Sequence, residues 1–228
     1  MTLAQSILLV FDIDGTLTDT VSLHRKAFHE VLIRFGLPGL NSEVHQYKHH
    51  TDSNIFKEIY SSYKNDWTEE ISEKFEKELY ESIKEQFQNG ILEIPGAKFF
   101  LETLRSQGIP FAYATGSFYE PAFLKLESCG LPLDVPLGTA SSFYERESIV
   151  EHAILESRKK YNSNFSKTIC FGDGIWDSKT AQNLGLEFIG IGEDLKLISE
   201  LENSRIDHMF KDYSDELAIL SAISSFHS

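Results

Sequence analysis

The chain has 228 residues, 41% of them hydrophobic and 25% charged, a composition that excludes disorder and suits one large domain or a core carrying a smaller insertion. Thirty-five acids against 21 bases leave a formal charge of −14, and no cluster of Lys and Arg stands ready to displace phosphate counterions, so nucleic acid and anionic membrane surfaces are poor partners. The same balance means that an anionic substrate needs a cation placed locally at its site. Cys129 and Cys170 show no CxxC spacing and read as buried thiols in a reducing compartment. Met1–Ser6 carries no positive region, and the apolar run Ile7–Phe11 is too short for a signal core or a membrane span, so a cytoplasmic location is expected. Oligomeric state is left open.

In chain order, Ile7–Phe11 is a short continuous apolar run closed by Asp12 and Gly15, the pattern of a strand buried on both faces of a parallel sheet. From Val21 to Phe35, Leu23, Ala27, Phe28, Val31, Leu32 and Phe35 fall at helical spacing. A second helix is predicted over about 54–63, and a third opens near Asp66 or Thr68, with Ile71, Phe75, Leu79, Ile83 and Phe87 four residues apart. No strand run interrupts residues 20–90. Pro95-Gly96 then precedes a helix over about 97–106, and further apolar runs follow at 110–114, 168–171 and 188–191, with a shorter strand at Val135–Gly138. Strands alternating with helices imply βαβ crossovers and an α/β sheet covered on both sides, interrupted by an all-helical insertion after the first strand.

The sharpest local signal is Phe11-Asp12-Ile13-Asp14-Gly15-Thr16 at the end of the first strand, where open α/β sheets bind ligands. Residues two apart on an extended segment point the same way, and two carboxylates so close repel unless a cation lies between them. Other strand ends add compatible groups. Thr115-Gly116-Ser117 offers a hydroxyl and backbone N–H groups to an oxyanion, Gly172-Asp173-Gly174-Ile175-Trp176-Asp177 adds two carboxylates, and Glu145-Arg146-Glu147 opens a helix with a cation. A solvated Asp-Gly turn or helix capping would explain one of these segments alone, but not all of them together.

In chain order these residues resemble the four motifs of the haloacid dehalogenase superfamily: DxDGT at Asp12–Thr16, Thr115 at a strand end, a cation before a helix at Arg146, and GDxxxD at Gly172, Asp173 and Asp177. The insertion resembles the α-helical cap of the phosphoglycolate phosphatase and β-phosphoglucomutase branch. The resemblance implies a Rossmann-like three-layer core with a parallel sheet, formed by residues 1–17 and 91–228, and an inserted all-helical cap domain over 18–90, with hinges near Leu17–Thr20 and Gly90–Ile94. It also implies a Mg²⁺-dependent phosphatase acting on a small phosphorylated metabolite. Asp12 is then the nucleophile and Asp14 the acid and base, while Thr115, Gly116 and Arg146 bind phosphate. Asp12, Asp173, Asp177 and the backbone carbonyl of Asp14 hold the metal. His24, Thr51 and Asp52 would face the substrate from the cap. The alternatives are a β-phosphoglucomutase-like phosphotransferase, since His24 lies where those enzymes carry a histidine, and a non-catalytic binding protein on a hydrolase scaffold. Lys125 rivals Arg146 as the phosphate cation, but its place in mid-helix among Phe123, Leu124 and Leu126 predicts a solvent-facing lysine. His45, His49 and His50 lack an HExxH pattern or a cysteine partner and read as a solvated loop rather than a metal site.

Overall fold

The computed structural model describes residues 6–40, 47–87, 90–193, 206 and 208–226. Six parallel strands form one sheet in the order β3-β2-β1-β4-β5-β6. They are β1 (Ile7–Phe11), β2 (Phe111–Ala114), β3 (Leu137–Gly138), β4 (Lys167–Gly172), β5 (Glu187–Ile191) and β6 (His208–Phe210). After β1 the chain builds outward through β2 and β3, then returns to β1's other side for β4, β5 and β6. The direction of winding therefore reverses between β1 and β4, and the crevice beyond their carboxyl ends is the natural ligand position of such a sheet.

Alternation along β1 feeds two apolar layers. Ile7, Leu9 and Phe11 pack with α4 (Ala97–Ser106), α5 (Tyr119–Ser128) and α8 (Glu216–Ser225) on one face. Leu8 and Val10 pack on the other with α6 (Arg146–Tyr161) and α7 (Ile175–Asn183). Phe11 anchors the first layer, stacked on Phe171 at 4.4 Å and edge-on to Phe100 at 6.3 Å.

Among its described residues the insertion forms three helices and no strand: α1 (Val21–Arg34), α2 (Asp52–Tyr63) and α3 (Glu69–Gln86). Its core gathers Phe28, Val31, Leu32, Phe56, Phe75 and Leu79, with Phe56 and Phe75 stacked at 3.8 Å. The two connections to the sheet run side by side, joined by Asp19 N–H to the Leu92 carbonyl and Ile94 N–H to the Leu17 carbonyl, both at 2.9 Å. Helix α2 starts at Asp52, two residues before its predicted start, because the Thr51 hydroxyl accepts the Asn54 N–H at 3.3 Å and so caps the first turn. β3 is shorter than predicted: Pro136 has no N–H and contributes only its carbonyl, which accepts from Tyr113 N at 2.8 Å. β6 and α8 have no counterpart among the predicted elements. No helix among the described residues is long and apolar enough to cross a membrane.

Because Phe11 both fills the first layer and leads into Asp12, Phe11→Ala is expected to destabilise the fold by about 3–5 kcal/mol, read from the shift of the urea midpoint at unchanged m.

Candidate active site

Asp12 continues β1, its N–H bonded to the Phe171 carbonyl of β4 at 2.9 Å. The chain then turns sharply at Gly15, whose φ of +80° suits glycine, and a Cβ there would collide with the Asp173 carboxylate. Gly15 thus lets the carboxylates from β1 and β4 approach. Oxygen atoms of Asp12, Asp173 and Asp177 lie within 4.8 Å of one another. Among the described residues this is the one acidic or histidine cluster close enough to share a metal.

Arg146, the first residue of α6, enters the cluster from the side. Its Nη2 donates to Asp12 Oδ1 at 3.2 Å and to Asp177 Oδ1, and its Nη1 to the His50 carbonyl at 3.0 Å. Gly116 leaves room for this approach, since a Cβ there would sit 2.6 Å from Arg146 Nη1. Asp177 also accepts the Gly174 N–H at 3.1 Å, which fixes the turn after β4.

Asp14 turns away from this cluster. Thr20 Oγ1 donates to its Oδ1 at 2.5 Å and Ser117 Oγ to its Oδ2 at 2.8 Å, while Lys125 Nζ lies 2.6 and 2.7 Å from the two oxygens. Lys125 is completely buried, contrary to the solvent-facing position predicted for it. The buried face of α5 is Pro121, Ala122, Lys125 and Leu126, and position 125 belongs to it through its i−3 and i−4 neighbours, whatever residues adjoin it in sequence. Arg146 and Lys125 are therefore not rivals for one place: the first serves Asp12 and Asp177, the second Asp14.

Thr115 ends β2. Its N–H is taken by the Gly138 carbonyl at 3.0 Å, and the Ser117 N–H bonds Thr115 Oγ1 at 3.1 Å, so these two backbone donors are not open to an oxyanion as the sequence suggested. The Thr115 hydroxyl proton is still available to donate. Thr51, Asp52 and His24 border the same cavity, yet their polar atoms are engaged in docking the insertion. Thr51 Oγ1 donates to the Tyr144 carbonyl at 2.7 Å, Asp52 Oδ2 accepts the Phe118 N–H at 3.0 Å, and His24 Nε2 meets Asp52 Oδ1 at 2.8 Å. His49 and His50 are half-buried rather than solvated, and the His50 ring stacks on Trp176 at 4.7 Å; His45 lies outside the described residues. Ser117, Thr20 and Trp176 join the site without having been singled out. Ser117 and Trp176 stand inside motifs already marked, while nothing local distinguishes Thr20. The cavity measures about 150 Å³, and its lining combines Asp12, Asp14, Asp173 and Arg146 with the apolar Val21, Phe28 and Ile55.

Burial and then the charge of Asp177 push the Asp12 carboxyl up to about 8, against the pull of Arg146. Burial, followed by Asp12 and Asp177, raises Asp173 as well, and burial raises Asp177 despite Arg146. For Asp14 burial also works upward, but the charge and hydrogen bond of Lys125, with the Thr20 hydroxyl, outweigh it and hold that carboxyl well below the usual range. One guanidinium among three acids leaves an excess of negative charge in a low-dielectric pocket. An all-oxygen donor set with that excess fits a hard divalent cation such as Mg²⁺.

Residues 9–191 match the family described as haloacid dehalogenase-like hydrolase. The chain belongs to that family. It is 25% identical over 198 residues to a phosphoglycolate phosphatase of Rhodobacter capsulatus, covering 79% of this chain and 82% of the relative. A hydrolase from Pseudomonas syringae shares the fold with a TM-score of 0.73 at 24% identity, covering 95% of this chain and 99% of the other. CbbY from Rhodobacter sphaeroides, solved in complex with phosphate, follows at 0.67 and 18%, covering 91% and 95%. The chain is thus an enzyme with the six-stranded parallel sheet of its family, and its relatives are consistent with a phosphoric monoester hydrolase.

The raised acids fix a sign for stability. Below about pH 4 both folded and unfolded chains carry the protons; above it the unfolded acids ionise first, so the metal-free protein loses stability as pH rises towards about 8. A divalent cation held among these acids would reverse that loss. Saturating Mg²⁺ is expected to raise the melting temperature by several degrees at pH 8 and by almost nothing at pH 5; equal shifts at both would contradict the assignment of the cluster.

Proposed function

We propose that the protein is a cytoplasmic, Mg²⁺-dependent phosphatase that hydrolyses a small phosphomonoester through an aspartyl-phosphate on Asp12. In this reading residues 1–17 and 91–228 form the catalytic core and 18–90 a helical cap domain. The observation that carries it is the convergence of Asp12, Asp173 and Asp177 with Arg146 at the point where the sheet reverses its winding.

Asp12, Asp173 and Asp177, with the backbone carbonyl of Asp14, would hold Mg²⁺, which when bound supplies charge neutralisation at the phosphoryl group. Asp12 attacks phosphorus as the leaving oxygen departs, which divides one difficult displacement into two. Arg146 and the Thr115 hydroxyl bind the equatorial oxygens, where charge develops, and Gly116 keeps that wall close to the substrate. Asp14, held ionised by Lys125, takes a proton from water in the second step and in the first would pass to the leaving oxygen the proton that a monoanionic substrate brings. His24, Thr51 and Asp52 border the leaving group, and the docked insertion keeps bulk water out.

Asp12→Asn is expected to lose nearly all turnover while its melting curve stays close to wild type. Chelation should abolish phosphate release, with Mg²⁺ restoring it and Ca²⁺, looser in its coordination, inhibiting it. Arg146→Ala should lower kcat/KM by about 10²–10³, and Arg146→Lys should recover part of that, since an ammonium cannot fork across two oxygens. A screen of phosphorylated metabolites with Mg²⁺ identifies the substrate class. Isomerisation of a hexose phosphate without phosphate release would favour the phosphotransferase instead, and no turnover on any ester would favour a binding protein.

A further inference from the structure

Lys125 is the unexpected residue of this site. An ammonium in a fully buried helix position is tolerated only when its donors are matched, and here all three are. Nζ donates to Asp14 Oδ2 at 2.7 Å, to Ser117 Oγ at 2.9 Å and to His24 Nδ1 at 2.9 Å. Because an ammonium only donates, His24 Nδ1 is the acceptor; its proton is therefore on Nε2, which donates to Asp52 Oδ1 at 2.8 Å. Asp52 in turn accepts the Phe118 N–H at the start of α5 through its other oxygen, at 3.0 Å. The circuit is closed: Lys125 belongs to the core helix α5 and Phe118 is its N-cap, while His24 belongs to α1 and Asp52 to α2 of the insertion.

We propose that Lys125 is a positioning residue that, held by His24 and Asp52, sets the Asp14 carboxylate for the water step. The proposal rests on the phosphatase reading and extends it. Lys125, Ser117 and Thr20 grip both oxygens of Asp14, so the carboxylate cannot rotate freely at the cavity wall. Without the His24 acceptor the buried ammonium would be one partner short. In the step concerned, the water oxygen bonds to phosphorus, the Asp12 oxygen–phosphorus bond breaks with its electron pair returning to Asp12, and the water proton passes to Asp14. A base whose two oxygens are held by Lys125, Ser117 and Thr20 meets that water in a fixed orientation.

The test uses 4-nitrophenyl phosphate, whose leaving group departs without needing a proton, so that kcat/KM reports formation of the phosphoenzyme and kcat can report its hydrolysis. Lys125→Met keeps the volume and removes the donors. It is expected to lower kcat by about 100-fold and KM in parallel, leaving kcat/KM within about fivefold of wild type. A burst of one nitrophenolate per enzyme should precede the slow steady state. His24→Gln retains a group near the Nε2 position for Asp52 but loses the Nδ1 acceptor. It should show the same split with a loss of about tenfold, and it decides the matter alone if melting shows that Lys125→Met does not fold. A fall of kcat/KM equal to that of kcat, with no burst, means a merely structural lysine and overturns the proposal, as does an unchanged kcat. Those outcomes leave the phosphatase reading intact. Failure of the wild-type protein to release phosphate from this ester and from every metabolite of the screen overturns that reading and this one with it.

Discussion

Crowded negative charge in a place with little water is the constraint around which this molecule is built. The ends of β1 and β4 bring Asp12, Asp14 and Asp173 into one crevice of an already acidic protein, with Asp177 of α7 beside Asp12 and Asp173. Carboxylates so placed must be neutralised, protonated or hydrogen-bonded. The chain divides the work: Arg146 serves Asp12 and Asp177, and Lys125 with Thr20 and Ser117 serves Asp14. What remains uncompensated lies among Asp12, Asp173 and Asp177, where a divalent cation fits.

The same division separates two chemical roles. Asp12 stands with the cluster that would face metal and phosphate, whereas Asp14, two residues on, is turned towards a second cation and the helical insertion. Both cations come from helices that pack on the sheet, Arg146 from the start of α6 and Lys125 from the buried face of α5. The backbone makes room for them at two glycines, Gly15 beside Asp173 and Gly116 beside Arg146. Docking of the insertion and geometry of the acids are therefore joined through specific hydrogen bonds, from Thr51 to the Tyr144 carbonyl and from Phe118 N–H to Asp52.

Much of this was legible in the sequence because strong patterns coincide with strong physics. The continuous apolar runs of β1, β2, β4 and β5 and the fourfold spacing of Phe75, Leu79 and Ile83 leave few alternatives for those segments. β6 was not legible: it is three residues long, half-buried and without an apolar run. The apolar sequence neighbours of Lys125 suggest an exposed lysine, but burial on a helix is decided three and four residues away, at Pro121 and Ala122. The backbone donors of Thr115 and Ser117 look free from the sequence, yet the sheet and a local turn consume them. Thr51 and Asp52 could be marked as bordering the site, but their bonds to residues 118 and 144 depend on how the insertion docks, and no local pattern encodes that.

The central claim is that Asp12 accepts a phosphoryl group. It is tested most directly by rapid acid quenching of the Mg²⁺-loaded protein during turnover of a phosphomonoester, followed by mass spectrometry of its peptides. The account predicts the added mass of one phosphoryl group on the peptide containing Asp12, mapped to that aspartate and absent from Asp12→Asn. Turnover with no modified peptide at any quench time, or with the group on another residue, would contradict it.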